Sequence, residues 1–159
     1  MKPLSPELAA ALQAQHTLER TNEAAYLSLA WQMDIAGMSG AQKWLTAQAA
    51  EEKNHAEKFA WFMSARNVPA QFEAAGLFVV ASDLQAALQA AADREMLTTE
   101  AIGNLYALAE SAEDEAACVF LNWFITEQVE SEKFLADVLA RLINSGGDTL
   151  MVDHELGET

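Results

Sequence analysis

Glu52 and His55 stand three residues apart, a spacing that sets a carboxylate and an imidazole one above the other on a helix face. Glu19, Glu95 and Gln128 lie in three other stretches of the chain, and each interrupts an apolar repeat of alternating threes and fours. If those stretches pack side by side as helices of similar length, the five polar side chains meet at one depth. A buried carboxylate without a partner is costly, and three close together also repel one another. Such a cluster requires a shared cation or bound protons, and oxygen donors with one imidazole suit a divalent first-row metal. Glu-x-x-His alone is a weak signal; joined to inward carboxylates from two further helices, it has the donor pattern of a di-iron carboxylate centre. The plainer alternative is a set of hydrogen-bonded core polars that only fixes the register of a structural bundle, and it predicts no metal.

The elements that must position these groups are legible from periodicity. Ser5-Pro6-Glu7 reads as a helix start, with Ser5 as cap and Pro6 at the first helical position, and the first helix runs to about Ala36. Gly37 and Gly40 bracket the first break. A second helix spans about Gly40 to Arg66, where Asn67-Val68-Pro69 stops it, and a third follows Ser82-Asp83 to about Ser111. Glu113-Asp114-Glu115 opens a fourth, ending at Asn144-Ser145-Gly146-Gly147, and the tail from Asp148 to Thr159 has room for one or two helical turns. Inward seams follow: Leu8, Leu12, Gln15, Glu19, Asn22, Tyr26, Ala30 and Met33 on the first helix, with Gln48 and Phe59 beside Glu52 and His55 on the second. Met33 and Met63 read as core fillers.

Two short connections join antiparallel neighbours, whereas residues 68–81 are enough to carry the chain along the bundle. The expected fold is therefore all-α: an antiparallel four-helix bundle with one long crossover between helices two and three and a short C-terminal helix, forming one domain over residues 1–159. A chain with only 7 glycines and 3 prolines among 159 residues agrees with long helices. Its 24 acidic against 9 basic residues, a formal charge of −15, disfavour nucleic acid and attract cations. The lone Cys118 offers neither a disulfide nor a thiolate metal cluster, and no stretch has the length and apolarity of a membrane span. A cytoplasmic protein without a membrane partner is the expectation.

Leu18-Glu19 with Tyr26, Glu51-Glu52-Lys53-Asn54-His55-Ala56-Glu57-Lys58, Asn122-Trp123-Phe124-Ile125-Thr126-Glu127-Gln128-Val129-Glu130 and the terminal Val152-Asp153-His154-Glu155-Leu156 resemble, in order and spacing, the non-haem ferritins of bacterial type. The resemblance spans nearly the whole chain. It implies a ferritin-like domain in which Glu19, Glu52 and His55 hold a first iron, Glu52 bridges to a second held by Glu95, and Gln128 is a polar partner. It further implies that Tyr26 stands beside the centre as a hydrogen-bond partner or electron donor, and that Glu51, Glu127 and Glu130 form a third iron site. The chain departs from the pattern at Ser131, where many bacterial ferritins carry glutamate and bacterioferritins histidine. Serine is a poor iron ligand, so a weaker, more labile second site is expected. Lys53 occupies the position of the haem-ligating methionine of bacterioferritins, so no haem is expected.

By the same resemblance the expected function is iron storage: oxidation of Fe(II) by dioxygen or hydrogen peroxide, a ferroxidase activity, and deposition of ferric oxyhydroxide inside a hollow homo-oligomeric shell of about 24 subunits. A passive iron-binding or mineral-nucleating subunit is one alternative, motivated by Ser131. Another di-iron carboxylate oxidoreductase is the second. His16 reads as a surface or interface histidine and not a ligand, His154 belongs to the tail, and Trp123 reads as a packing residue in preference to a redox relay.

Overall fold

Local chemistry sets the ends of each helix in the computed structural model, which describes residues 3–74, 76 and 78–159. Met1 and Lys2 of the amino-terminal segment, and Ala75 and Leu77 of the long connection, lie outside the described residues. Helix α1 covers Pro6–Ile35, with the Ser5 hydroxyl accepting from the Leu8 amide and Pro6 inside the first turn, where a missing N–H costs nothing. Helix α2 covers Ser39–Ala65, α3 Leu84–Ser111, α4 Glu115–Asn144 and α5 Thr149–Glu158. Asp83, Asp114 and Asp148 cap the last three by accepting from the amides of Ala86, Ala117 and Met151. Gly37 carries the chain out of α1 at φ 76°, a left-handed conformation that an L side chain resists.

The short turns after α1 and α3 fold each helix back on its successor, and α1 packs most extensively on α2 and α3 on α4. The described residues of the connection then return along α1, strapped to it by side chains that a helix normally gives to solvent. Gln13 exchanges two hydrogen bonds with the Gln71 backbone at 2.9 and 2.8 Å, Ser28 holds both backbone groups of Val79, and Gln32 accepts from Ala81 N at 3.0 Å. The backbone groups of Gln71, Val79 and Ala81 thus find partners on α1, which holds a largely exposed connection against that helix. The architecture is a four-helix bundle with one long connection between α2 and α3, all-helical among the described residues.

The tail differs from its expectation. Instead of one or two turns, α5 is a ten-residue helix that buries Val152 and Leu156 against the bundle end. It docks on α2, whose own N-cap residue, Met38, makes no side-chain cap. Asp153 replaces that cap by accepting from the Ala41 amide at 2.8 Å, and Lys43 donates to the Gly157 carbonyl. Gly40 makes this approach possible, since a Cβ there would stand 1.7 Å from the Asp153 carbonyl oxygen.

Two apolar clusters fill the bundle. One holds Leu29, Met33, Leu45, Leu88, Leu135 and Leu142; the other holds Leu8, Leu12, Phe59, Ile102, Leu121 and Phe124. Between them runs a belt of buried polar side chains: Glu19, Asn22, Glu52, His55, Glu95, Thr98 and Gln128. The polar interruptions of the four seams therefore share one depth. Gln48 departs from its expected inward position, because Ala49 takes the core side and the Gln48 amide turns outward to donate to Glu51 at 2.9 Å. No helix among the described residues is long and apolar enough to cross a membrane.

Candidate metal centre

Glu19 from α1 and the Glu52 and His55 pair from α2 converge so that one donor atom from each lies within 4.8 Å of the others, and all three residues are buried. Gln15, one turn before Glu19, donates to Glu19 Oε1 at 2.8 Å and orients it. The second oxygen, Glu19 Oε2, has no partner, and neither has Glu52 Oε2 as a hydrogen-bond acceptor. His55 Nδ1 lies 3.5 Å from Glu52 Oε2, while its Nε2 faces Glu127 Oε2 at 3.8 Å.

On the far side, Glu95 from α3 is buried and held from two directions. The Tyr26 hydroxyl donates to its Oε1, and the Gln128 amide donates to its Oε2 at 3.1 Å and to its backbone carbonyl at 3.2 Å. Behind the cluster, Arg94 donates to Asn22 Oδ1, and Asn22 donates to Thr98 at 2.9 Å. Arg94 is the half-buried cation behind this belt, and no spacing in the sequence marked it.

The electrostatics are those of too many acids in too little water. Burial, and then the charge of neighbouring Glu52, push the Glu19 carboxyl well above the usual carboxylate range. Burial, and then the Glu95 charge, raise Glu52 to about 8. Burial also raises Tyr26, with Glu95 adding to it, so the phenol stays protonated and donates. A divalent cation bound here would displace those protons and satisfy the unpartnered oxygens together. Hard oxygen donors with one imidazole fit iron, zinc and manganese alike, so the donor chemistry by itself selects a class of ion.

A profile of the ferritin-like domain matches residues 9–144 of this chain. The chain belongs to the ferritin family. It is 30% identical over 160 residues to the bacterial non-heme ferritin of Staphylococcus aureus strain USA300, covering 97% of this chain and 95% of that one. It is 27% identical over 166 residues to a probable bacterial non-heme ferritin-like protein of Haemophilus influenzae, covering 97% and 96%. Among solved structures, an open pore ferritin from the archaeon Archaeoglobus fulgidus superimposes with a TM-score of 0.93 at 30% identity, covering 97% of this chain and 96% of that one. Family and fold together support iron storage as the general role.

Within this ferritin fold the remaining candidates divide. Glu127 is largely buried beside His55 and accepts from the Ser131 hydroxyl at 3.0 Å; burial raises its carboxyl, with His55 and that hydrogen bond acting against the rise. Glu51 and Glu130 are exposed at the surface. Trp123 is 46% exposed, sets its edge against His55 at 5.6 Å between ring centroids, and carries Lys58 over its face. It does pack, on the imidazole and on the core residue Phe124 at 4.9 Å, while its outer side borders an open hollow. Met33 and Met63 are core residues.

His16 corrects the reading of a surface or interface histidine. It is 1% exposed, both ring nitrogens lack partners, and its ring meets Phe72 of the crossover edge-on at 4.9 Å. The helical phase put it one residue from the inward seam, and Phe72 of the crossover packs on its ring. Gln15 was visible on the seam, but its role in orienting Glu19 follows from their separation by one turn.

Proposed function

We propose that this protein is an iron-storage ferritin with ferroxidase activity, taking Fe(II) as substrate at the buried carboxylate belt. The observation that carries the proposal is the convergence of Glu19, Glu52 and His55 from two helices with carboxylate oxygens left unpartnered in the bundle interior. In this reading those three bind a first Fe(II), and Glu52 bridges to a second Fe(II) on the Glu95 side. Gln128 and Tyr26 fix the Glu95 carboxylate by donating to its two oxygens. Tyr26 is also the nearest phenol from which an electron can be drawn. Two Fe(II) lose one electron each; dioxygen takes both with two protons to give hydrogen peroxide, or hydrogen peroxide takes them with two protons to give two waters. Glu127, with Glu51 and Glu130 toward the surface, receives the oxidised ion as a third site on the way to a mineral.

Storage needs an enclosed volume, and a homo-oligomeric shell supplies it. Trp31 and Ile35 on α1 and Phe78 and Val80 on the crossover are exposed apolar side chains, the kind that subunit contacts bury. A cytoplasmic location completes the proposal, consistent with one free cysteine, Cys118.

Ser131 favours a second reading, a passive iron-binding or mineral-nucleating subunit. Its hydroxyl is occupied by Glu127 and it brings no carboxylate to the second iron. Stopped-flow absorbance after mixing about two Fe(II) per subunit with oxygenated buffer separates the readings. The ferroxidase shows a fast phase that saturates near that ratio and vanishes in Glu52→Ala, whose helix content by circular dichroism is unchanged. A slow, unsaturable rise in both proteins establishes the passive reading.

A further inference from the structure

A slot opens between α3 and α4, enclosing about 190 Å³. Ile102, Ile125 and Val129 make most of its wall, Thr99, Gln128 and Glu132 add polar groups, and beside them stands Gly103. That glycine sits inside a long helix, where it costs roughly 1 kcal/mol relative to alanine. No close packing explains it, because a Cβ built there meets no atom within 4 Å. Its effect is to leave the slot one side chain wider. Unlike Gly37, it has no positive φ to require glycine, and unlike Gly40, it has no close neighbour.

The slot reaches the buried centre. Gln128, 3% exposed, lines it, and the same side-chain amide donates to Glu95 Oε2 at 3.1 Å, to the Glu95 carbonyl and to Thr99 Oγ1 at 3.2 Å. One amide therefore separates the slot from the carboxylate assigned above to the second Fe(II).

The wall chemistry decides what can travel this way. A hydrated Fe(II) would shed its water against isoleucine and valine, with Glu132 the one carboxylate lining the slot and the engaged Gln128 amide standing between it and Glu95. Hydrogen peroxide would find only the Thr99 hydroxyl and the Glu132 carboxylate to replace its hydrogen bonds to water along a mostly apolar wall, while the Gln128 donors are already engaged. Dioxygen is apolar, small and uncharged, and loses nothing.

We propose that the α3/α4 slot beside Gly103 is the passage by which dioxygen reaches the Glu95 side of the centre, with Gln128 as its inner partition. The inference rests on the ferroxidase reading. In the step it serves, two Fe(II) give up one electron each, dioxygen accepts both together with two protons, and hydrogen peroxide leaves.

The test compares the unmodified assembled protein with Gly103→Leu, which fills the slot, and Gly103→Ala, which barely narrows it and favours the helix. Initial rates of Fe(II) oxidation are measured against dioxygen concentration and, anaerobically, against hydrogen peroxide. Gly103→Leu is expected to raise the dioxygen concentration giving half-maximal rate by on the order of tenfold, with the saturated rate and the peroxide-driven rate unchanged. Gly103→Ala should behave as the unmodified protein. Crystals held under xenon should show the gas in the slot of the unmodified protein and not in Gly103→Leu. Equal slowing with both oxidants, no slowing with either, or a slot empty of xenon overturns the passage. A protein that oxidises no Fe(II) rapidly with either oxidant sinks the ferroxidase reading itself, a different result from each of these.

Discussion

Glu52 and His16 are both buried titratable groups, and they tilt stability against pH in opposite directions. Folding raises Glu52 from 4.5 to about 8, so between those values the folded, metal-free chain holds a proton that the unfolded chain has released. Its contribution is fully present below 4.5 and is lost as pH rises through about 8. The melting temperature of the metal-free protein should therefore fall across that window, and adding Zn(II) should cancel the fall. Glu52→Gln should melt roughly 4–12 °C higher than the unmodified protein at about pH 8.5, the shift expected for about 2–3 kcal/mol at this chain length, with little difference at about pH 5. Equal melting at both pH values would show that the carboxylate carries no such penalty. For His16, burial lowers the pKa from 6.5, with the Arg20 charge adding to the fall and Glu73 opposing it. The unfolded chain then binds the extra proton, so this contribution is present above 6.5 and is lost as pH falls. His16→Leu removes two unpartnered nitrogens, and its thermal advantage over the unmodified protein should grow as the buffer is acidified.

At the scale of elements, two contacts made at helix ends hold the bundle in register. Arg66, the C-cap of α2, donates to both oxygens of Asp114, the N-cap of α4, and the pair is almost wholly buried. Removing one member leaves the other charge without its principal partner, so Asp114→Ala should cost about 3–5 kcal/mol in urea unfolding. A loss below about 1 kcal/mol would mean that water replaces the contact. At the opposite end, Gly40 and Asp153 join α5 to α2. Gly40→Ala should release α5, seen as faster hydrogen exchange in residues 149–158 while α1 and α4 stay protected. The sequence marks Gly40 as a turn residue near the first break; it lies inside α2 because its missing side chain serves a contact with residues 153 and 157, far along the chain.

For the whole molecule, the charge of −15 and the exposed apolar residues make separate claims. On the ferroxidase reading, negative charge would draw Fe(II) in from a distance of about a Debye length, roughly 10 Å at 0.1 M salt. The initial rate at limiting Fe(II) should fall as sodium chloride is raised, whereas the rate at saturating Fe(II) stays level; a salt-independent rate would place the delivery step elsewhere. The apolar residues on α1 and the crossover should be covered in an assembly. Light scattering should report a large homo-oligomer for the unmodified protein, and Trp31→Glu with Phe78→Glu should break it into smaller species. A monomer in both cases would leave the storage cavity without walls.

Local pattern alone determined the four long helices, the cap at Ser5, and the depth at which Glu19, Glu52, His55, Glu95 and Gln128 stand, because each depends on residues a few positions apart. Resemblance, not periodicity, supplied the roles proposed for those side chains. Tertiary packing decided what depends on residues distant in sequence. It packed Phe72 of the crossover, more than fifty residues away, on His16, turned Gln48 outward, gave α2 its cap from α5, and paired Tyr26 with Glu95 across 69 positions. A helix reports its own faces through a 3.6-residue period, but which of those faces another segment covers is settled only when the chain closes on itself.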